Sequence, residues 1–144
     1  MVTLSSSAQS TAAASESLRL SGEGGLQLAA SRYLAPAALQ GHPALIYAHG
    51  FGQTRHAWSR AGMTLAHAGY PGLSYDARGH GDSQRNAADV PYTGEQFADD
   101  LIIVAGDQAQ APVLIGASMG GLFGLIAEAR WPGLLQAMVL VDIT

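Results

Sequence analysis

The sequence predicts an α/β domain built on a mostly parallel, twisted sheet with helices on both faces. Three observations predict it. Short continuous apolar runs alternate with longer segments of helical period. Two of those runs end in glycine-rich turns, as parallel strands do where they lead into helices. Hydrophobic residues make up 48% of the 144 positions and charged ones 12%, enough apolar mass for one buried core.

The elements follow in order. Residues 18–34, inside "SLRLSGEGGLQLAASRYL", alternate leucines with polar residues around Gly22-Glu23-Gly24-Gly25, which predicts a β-hairpin. "PALIYAHG" is a short apolar run, hence a buried strand ending at His49-Gly50. A helix is expected over 57–68, with Gly69 to close it. "GLSYDARGHGDS" reads as a strand over 72–76 and then a glycine-rich loop. Thr93 and Gln96 have capping-box spacing, and Phe97, Leu101 and Val104 continue on one helix face. "PVLIG" is a third buried strand. Residues 119–131 form a helix that Pro132 stops. "AMVLVDIT" is a last strand, apolar on both faces, and such strands belong inside a sheet. The sheet is therefore expected to continue past Thr144, with 16–144 as the N-terminal part of a longer domain cut after its sixth strand. Residues 1–15, rich in Ser and Ala, are expected to be a disordered leader.

Composition excludes several classes. The net charge of −4 offers no basic footprint for nucleic acid. The absence of cysteine excludes disulfides and thiolate metal sites. No apolar run is long enough to span a bilayer. With no secretory signal and no cysteine, a cytoplasmic location is expected.

Chemistry concentrates at Gly116-Ala117-Ser118-Met119-Gly120, a G-x-S-x-G turn between a predicted strand and a predicted helix. Side chains two residues either side of the serine are expected to collide with each other, which calls for glycine at both. The serine is then held up from the sheet edge as a nucleophile. The loops at the carboxyl ends of parallel strands share one rim, so His49-Gly50-Phe51-Gly52 is expected beside it. The backbone N–H groups of Phe51 and Met119 can then form an oxyanion hole. Phe51, Trp58 and Met119 suggest an apolar wall for a small-molecule substrate.

Four stretches, spanning about Leu18 to Thr144, resemble the α/β-hydrolase fold superfamily in its esterase, C–C hydrolase and cofactor-free haloperoxidase branches. "HGFG" with Trp58 resembles the oxyanion loop, and "YDARGHGDS" the loop after the next strand. "GASMGG" resembles the nucleophile elbow, and "LVDIT" the strand that follows its helix. The resemblance implies an ester-cleaving serine hydrolase with no cofactor and no metal, Ser118 as nucleophile and Asp142 as a candidate acid. Relatives that open epoxides or remove halogens carry aspartate at the elbow. Serine there implies acyl transfer.

A serine nucleophile needs a base. The resemblance implies the chain order serine, acid, histidine. All five histidines, His42, His49, His56, His67 and His80, precede Ser118. The catalytic histidine is thus expected outside this chain, which alone should be inactive, with His49 or His80 as the alternative. Asp76, Arg78 and Asp82 are expected to fix their loop by charge-assisted hydrogen bonds. Two rival functions remain. One is a non-catalytic binding protein of the same fold. The other is a dinucleotide-binding domain, from Gly50-Phe51-Gly52 and Asp76, although Arg55 stands where its third glycine is required.

Overall fold

A computed structural model of the chain describes residues 12–39 and 41–143. The alternating leucines form the expected hairpin: β1 (Ala14–Ser21) and β2 (Gln27–Leu34) pair antiparallel, closing at Ser21 opposite Gln27. β1 begins at Ala14, ahead of the boundary expected at residue 16, and residues 1–11 of the expected leader lie outside the described residues. Four short strands follow: β3 (Leu45–Ala48), β4 (Gly72–Tyr75), β5 (Val113–Ala117) and β6 (Ala137–Val141). The sheet order is β1-β2-β4-β3-β5-β6. β4-β3-β5-β6 are parallel, and β2 joins β4 antiparallel. The strand ending before His49 therefore lies between those ending before Asp76 and at Ala117, the order that the resemblance to the α/β-hydrolase fold implies.

Period-two alternation sends β3 side chains to opposite faces. Ile46 and Ala48 pack under α2 (Gly94–Gly106) and α3 (Met119–Arg130), against Leu101, Val104 and Ala127. Leu45 and Tyr47 face α1 (Ser59–His67) with Tyr33 and Ala66. Helix α1 lies so close that a Cβ on Gly62 would strike the Tyr33 ring. A short 3-10 turn at Arg55–Trp58 precedes α1, which is why regular helix starts at Ser59 rather than at 57. Gly69, at φ +99°, ends it as expected. The capping box forms: Gln96 N–H donates to Thr93 Oγ1 at 3.3 Å, and Thr93 N–H to Gln96 Oε1 at 3.2 Å.

Among the described residues β6 is a sheet edge. Val139, Leu140 and Val141 are 49%, 42% and 41% exposed, although their sequence is that of an interior strand. An unpaired apolar edge is a template for another chain. The 144-residue chain on its own should associate with rising concentration in sedimentation velocity. Lysine at Val139 and Val141 should raise the monomer fraction. A monodisperse wild-type monomer with a sharp melt would count against this.

Candidate active site

The elbow is built by close approach. Strand β5 ends at Ala117, and α3 starts at Met119. Ser118, between them, has φ 46° and ψ −113°, a conformation costing a non-glycine residue about 1–3 kcal/mol. The turn is pinned from both sides: Ser118 N–H donates to Val141 O at 3.0 Å, and Ser118 O accepts from Leu122 N–H at 3.0 Å. The flanking glycines are required because a Cβ at either would meet backbone at close range. A Cβ on Gly116 would lie 2.7 Å from the Gly121 backbone, and one on Gly120 would strike the Ala48 carbonyl of β3. A Cβ at −2 would also lie 3.0 Å from the carbonyl carbon of Gly120 at +2, so the two positions crowd each other as well as other backbone.

That packing sets the elbow against the end of β3. The next residues, His49 and Gly50, turn sharply, with Gln53 N–H bonded to Gly50 O at 3.1 Å. Phe51 projects from this turn, 83% exposed. Phe51 and Met119 both line a cavity of about 610 Å³. Among the described residues neither backbone N–H donates to another group. Phe97 and Phe123 stack at 4.6 Å in the cavity wall, and Tyr92 and His80 complete its aromatic part. Ser118 is exposed next to Met119 and is not itself a wall residue.

Two other predicted site residues fall elsewhere. Trp58 does not line this cavity. It is half-buried and packs on Tyr47, with ring centroids 5.4 Å apart, against the core under α1. Its apolar character is used for the fold, so the expected substrate wall loses it. Asp142 follows β6 on the same rim as Ser118, exposed, at φ 54°, with no hydrogen bond among the described residues.

The histidines can be sorted by what their nitrogens already do. His49 is buried. Its Nδ1 lies 2.8 Å from Gly50 O, and its Nε2 accepts from Ala77 N–H at 2.9 Å. A carbonyl only accepts, so Nδ1 carries the proton, and the Nε2 lone pair is spent on Ala77. His49 therefore braces the loop and has no free lone pair for a serine proton. His80 Nδ1 faces Arg78 O at 3.1 Å, which leaves the His80 Nε2 lone pair open in the cavity wall. His42 stacks on Tyr70, and His56 and His67 are exposed.

Burial pushes the His49 ring below the ordinary histidine pKa, aided by the nearby His80 and opposed by the Gly50 carbonyl and Asp76. The unfolded chain, at about 6.5, then binds the proton first as pH falls. Stability is full above about 6.5 and declines as pH drops toward the folded value. Urea midpoints should fall between pH 7.5 and 5.5, with a shallower fall in His49→Gln. Equal slopes in both proteins would remove His49 as the cause.

The charged loop is fixed as expected, through partners the sequence did not indicate. Asp76 is fully buried. It accepts from Arg55 N–H at 2.6 Å, from Asp82 N–H at 2.9 Å and from the Arg55 guanidinium. Arg78 pairs instead with Asp100 of α2. A dinucleotide needs a carboxylate free for a ribose hydroxyl. Asp76 is committed to Arg55, and Arg55 fills the place of the third glycine, so that reading fails. Asp100 could have been found: it lies three residues after Phe97 and four before Val104, on the apolar face of a predicted helix. No group of three or more His, Cys, Asp or Glu among the described residues is arranged to hold a metal ion, and none of their helices is long and apolar enough to cross a membrane.

The model of the alpha/beta hydrolase fold family matches residues 43–144. The chain belongs to the α/β-hydrolase family. An esterase of Mycobacterium tuberculosis is 35% identical to this chain over 103 residues, 71% of the chain and 33% of the esterase. An sn-1-specific diacylglycerol lipase of Mus musculus is 34% identical over 104 residues, again 71% of the chain and 33% of the lipase. The crystal structure of an epoxide hydrolase from Vigna radiata superposes with a TM-score of 0.79 at 18% identity, over 90% of the chain and 38% of that protein, a likeness of fold. The α/β-hydrolase chain thus spans about a third of the length of the two curated relatives.

Proposed function

We propose that the protein carrying this chain is a serine hydrolase that cleaves an ester or similar acyl bond through an acyl-enzyme on Ser118. One observation carries the reading. Ser118 is held in a costly backbone conformation at a strand–helix turn, beside a cavity whose wall includes the uncommitted Met119 and Phe51. Strain of this kind persists where the surrounding structure enforces it, and here the close approaches of Gly116 to Gly121 and of Gly120 to Ala48 do so.

The chemistry follows from those parts. The Ser118 Oγ attacks the acyl carbon while its proton passes to a histidine. The carbonyl oxygen becomes an oxyanion, accepting from the N–H groups of Phe51 and Met119. The start of α3 adds partial positive charge behind it. Collapse expels the alcohol, which takes the proton from histidine. Water then repeats the sequence on the acyl-enzyme, and the acid leaves. A serine at 118 favours this route over epoxide opening, which by resemblance uses an aspartate there. The names of the M. tuberculosis and mouse relatives, an esterase and a lipase, point the same way. This reading takes the histidine from a part of the protein outside the described residues: His49 is committed, Asp142 has no histidine bonded to it, and His80, whose Nε2 is open, is the alternative base.

Mass spectrometry after treatment of the natural full-length protein with a fluorophosphonate tests this. A single adduct is expected on the peptide containing Ser118. A folded protein that takes no adduct would point to the non-catalytic binder.

A further inference from the structure

The cavity wall contains two arginines in opposite states. Arg78 is buried and neutralised: Nε and Nη2 donate to the two Asp100 oxygens at 2.7 and 2.8 Å. Arg85 is exposed and has no ion pair or hydrogen-bonding side-chain partner among the described residues. The rest of the wall is dominated by Phe51, Tyr92, Phe97, Phe123 and Met119.

We propose that the cavity takes a ligand with an apolar body and one carboxylate, and that Arg85 reads the carboxylate. Arg85 does not stand on a loose loop. On one side, Gln84 N–H donates to Gln27 O at 2.9 Å, and Gln84 O accepts from Gly79 N–H at 2.9 Å. On the other side, Asn86 N–H donates to Tyr92 Oη at 3.1 Å. The Asn86 side chain donates to Pro91 O at 3.1 Å and Gln96 Oε1 at 2.9 Å, and accepts from Arg78 Nη1 at 3.1 Å. The backbone that carries Arg85 is therefore fixed before a ligand arrives, which lowers the entropy cost of using it.

The chemistry of the guanidinium selects the ligand. Its planar fork matches a carboxylate, and the apolar wall strengthens the attraction relative to open water. The protein's net charge is −4, so its overall field repels anions, and recognition of a carboxylate has to be local. A neutral apolar ligand fills the aromatic wall and leaves Arg85 unanswered. Glu95, exposed in the first turn of α2, is not a wall residue.

That the carboxylate belongs to a substrate rests on Ser118 as the nucleophile. The binding claim does not, so binding is measured in the full-length Ser118→Ala protein. Calorimetry compares 4-phenylbutyrate with 4-phenylbutyramide. The acid is expected to bind about tenfold more tightly, and added salt should weaken it. Arg85→Ala should bring the acid down to the amide, and Arg85→Lys should keep part of the preference. Arg60→Ala, an exposed arginine on α1 outside the wall, should bind as the parent does. Equal binding of acid and amide, no binding of either at millimolar concentration, or a preference that survives Arg85→Ala would overturn the proposal. The active protein is then offered monomethyl and dimethyl suberate. Acid-selective binding with neither ester cleaved removes the Ser118 reading and leaves Arg85 standing. Cleavage of both at equal rates, with equal binding, does the reverse.

Discussion

Ser118→Ala in the full-length protein should abolish the pre-steady-state burst with p-nitrophenyl acetate and lower kcat by roughly a millionfold, the cost seen when a serine nucleophile is removed. Only Ser118 stands at the elbow, and no threonine or cysteine neighbours it to take over. The residual rate should be that of the oxyanion hole and binding alone, roughly 10³–10⁴ over water. The 144-residue chain by itself should show little or no turnover. His49 Nε2 already accepts from Ala77 N–H, so the buried histidine nearest the turn cannot serve as base. His80 is the remaining test, because its Nε2 is open in the cavity wall. If the short chain turned over at enzyme-like rates and His80→Ala removed that activity, the base would be His80, and the histidine would not need to come from elsewhere.

Much of the fold was legible because it rests on local rules. The Thr93–Gln96 box, the hairpin about Gly22–Gly25 and the stop at Pro132 each depend on neighbours within four residues. The order of the parallel strands came from the family resemblance, because the hand of a crossover fixes the face its helix covers and not which strand lies in the middle. The elbow was legible because its requirement for glycine is steric. What could not be read was which distant group answers each charge. Asp76 takes Arg55 from 21 residues back, and Arg78 takes Asp100 from 22 residues on. Those pairings depend on how β4, the Arg55 turn and α2 meet in space, which no sequence period encodes. Trp58 was misplaced for a related reason: an aromatic residue after a glycine-rich turn suits a site wall and a core equally, and the packing of Tyr47 chose the core. The strand pattern of β6 shows a limit of another kind. Apolarity on both faces says that a strand is suited to cover, and the described residues leave it two-fifths or more exposed over Val139–Val141.

Asp100→Ala should destabilise the protein by about 3–5 kcal/mol, more than the loss of a typical surface pair by several-fold. Both partners are almost fully buried, Arg78 at 2% and Asp100 at 1% exposure. Asp100 holds the Arg78 guanidinium more firmly protonated, by hydrogen bonds first and by charge second, so Arg78 cannot shed its proton when its partner goes. The exposed carboxylate of Glu23, 3.5 Å from Nη2, is too distant to replace two bonds under 3 Å. Asp100 Oδ1 also accepts from Glu23 N–H at 2.8 Å, so the hairpin turn loses an anchor in the same substitution. A fall in Tm on the order of 10 °C is expected for a chain of this size. The consequence reaches the cavity, because the Arg78 carbonyl orients His80 and the Arg78 side chain holds Asn86 beside Arg85. A double replacement, Arg78→Met with Asp100→Leu, separates the two roles. Removing both charges should recover most of the lost stability, since a buried pair exchanged for apolar groups is often neutral. It should recover carboxylate selectivity only in part, because Asn86 still loses its bond from Arg78 while its bonds to Tyr92, Pro91 and Gln96 remain. A double variant as unstable as Asp100→Ala would show that packing volume, not an unpaired charge, sets the cost.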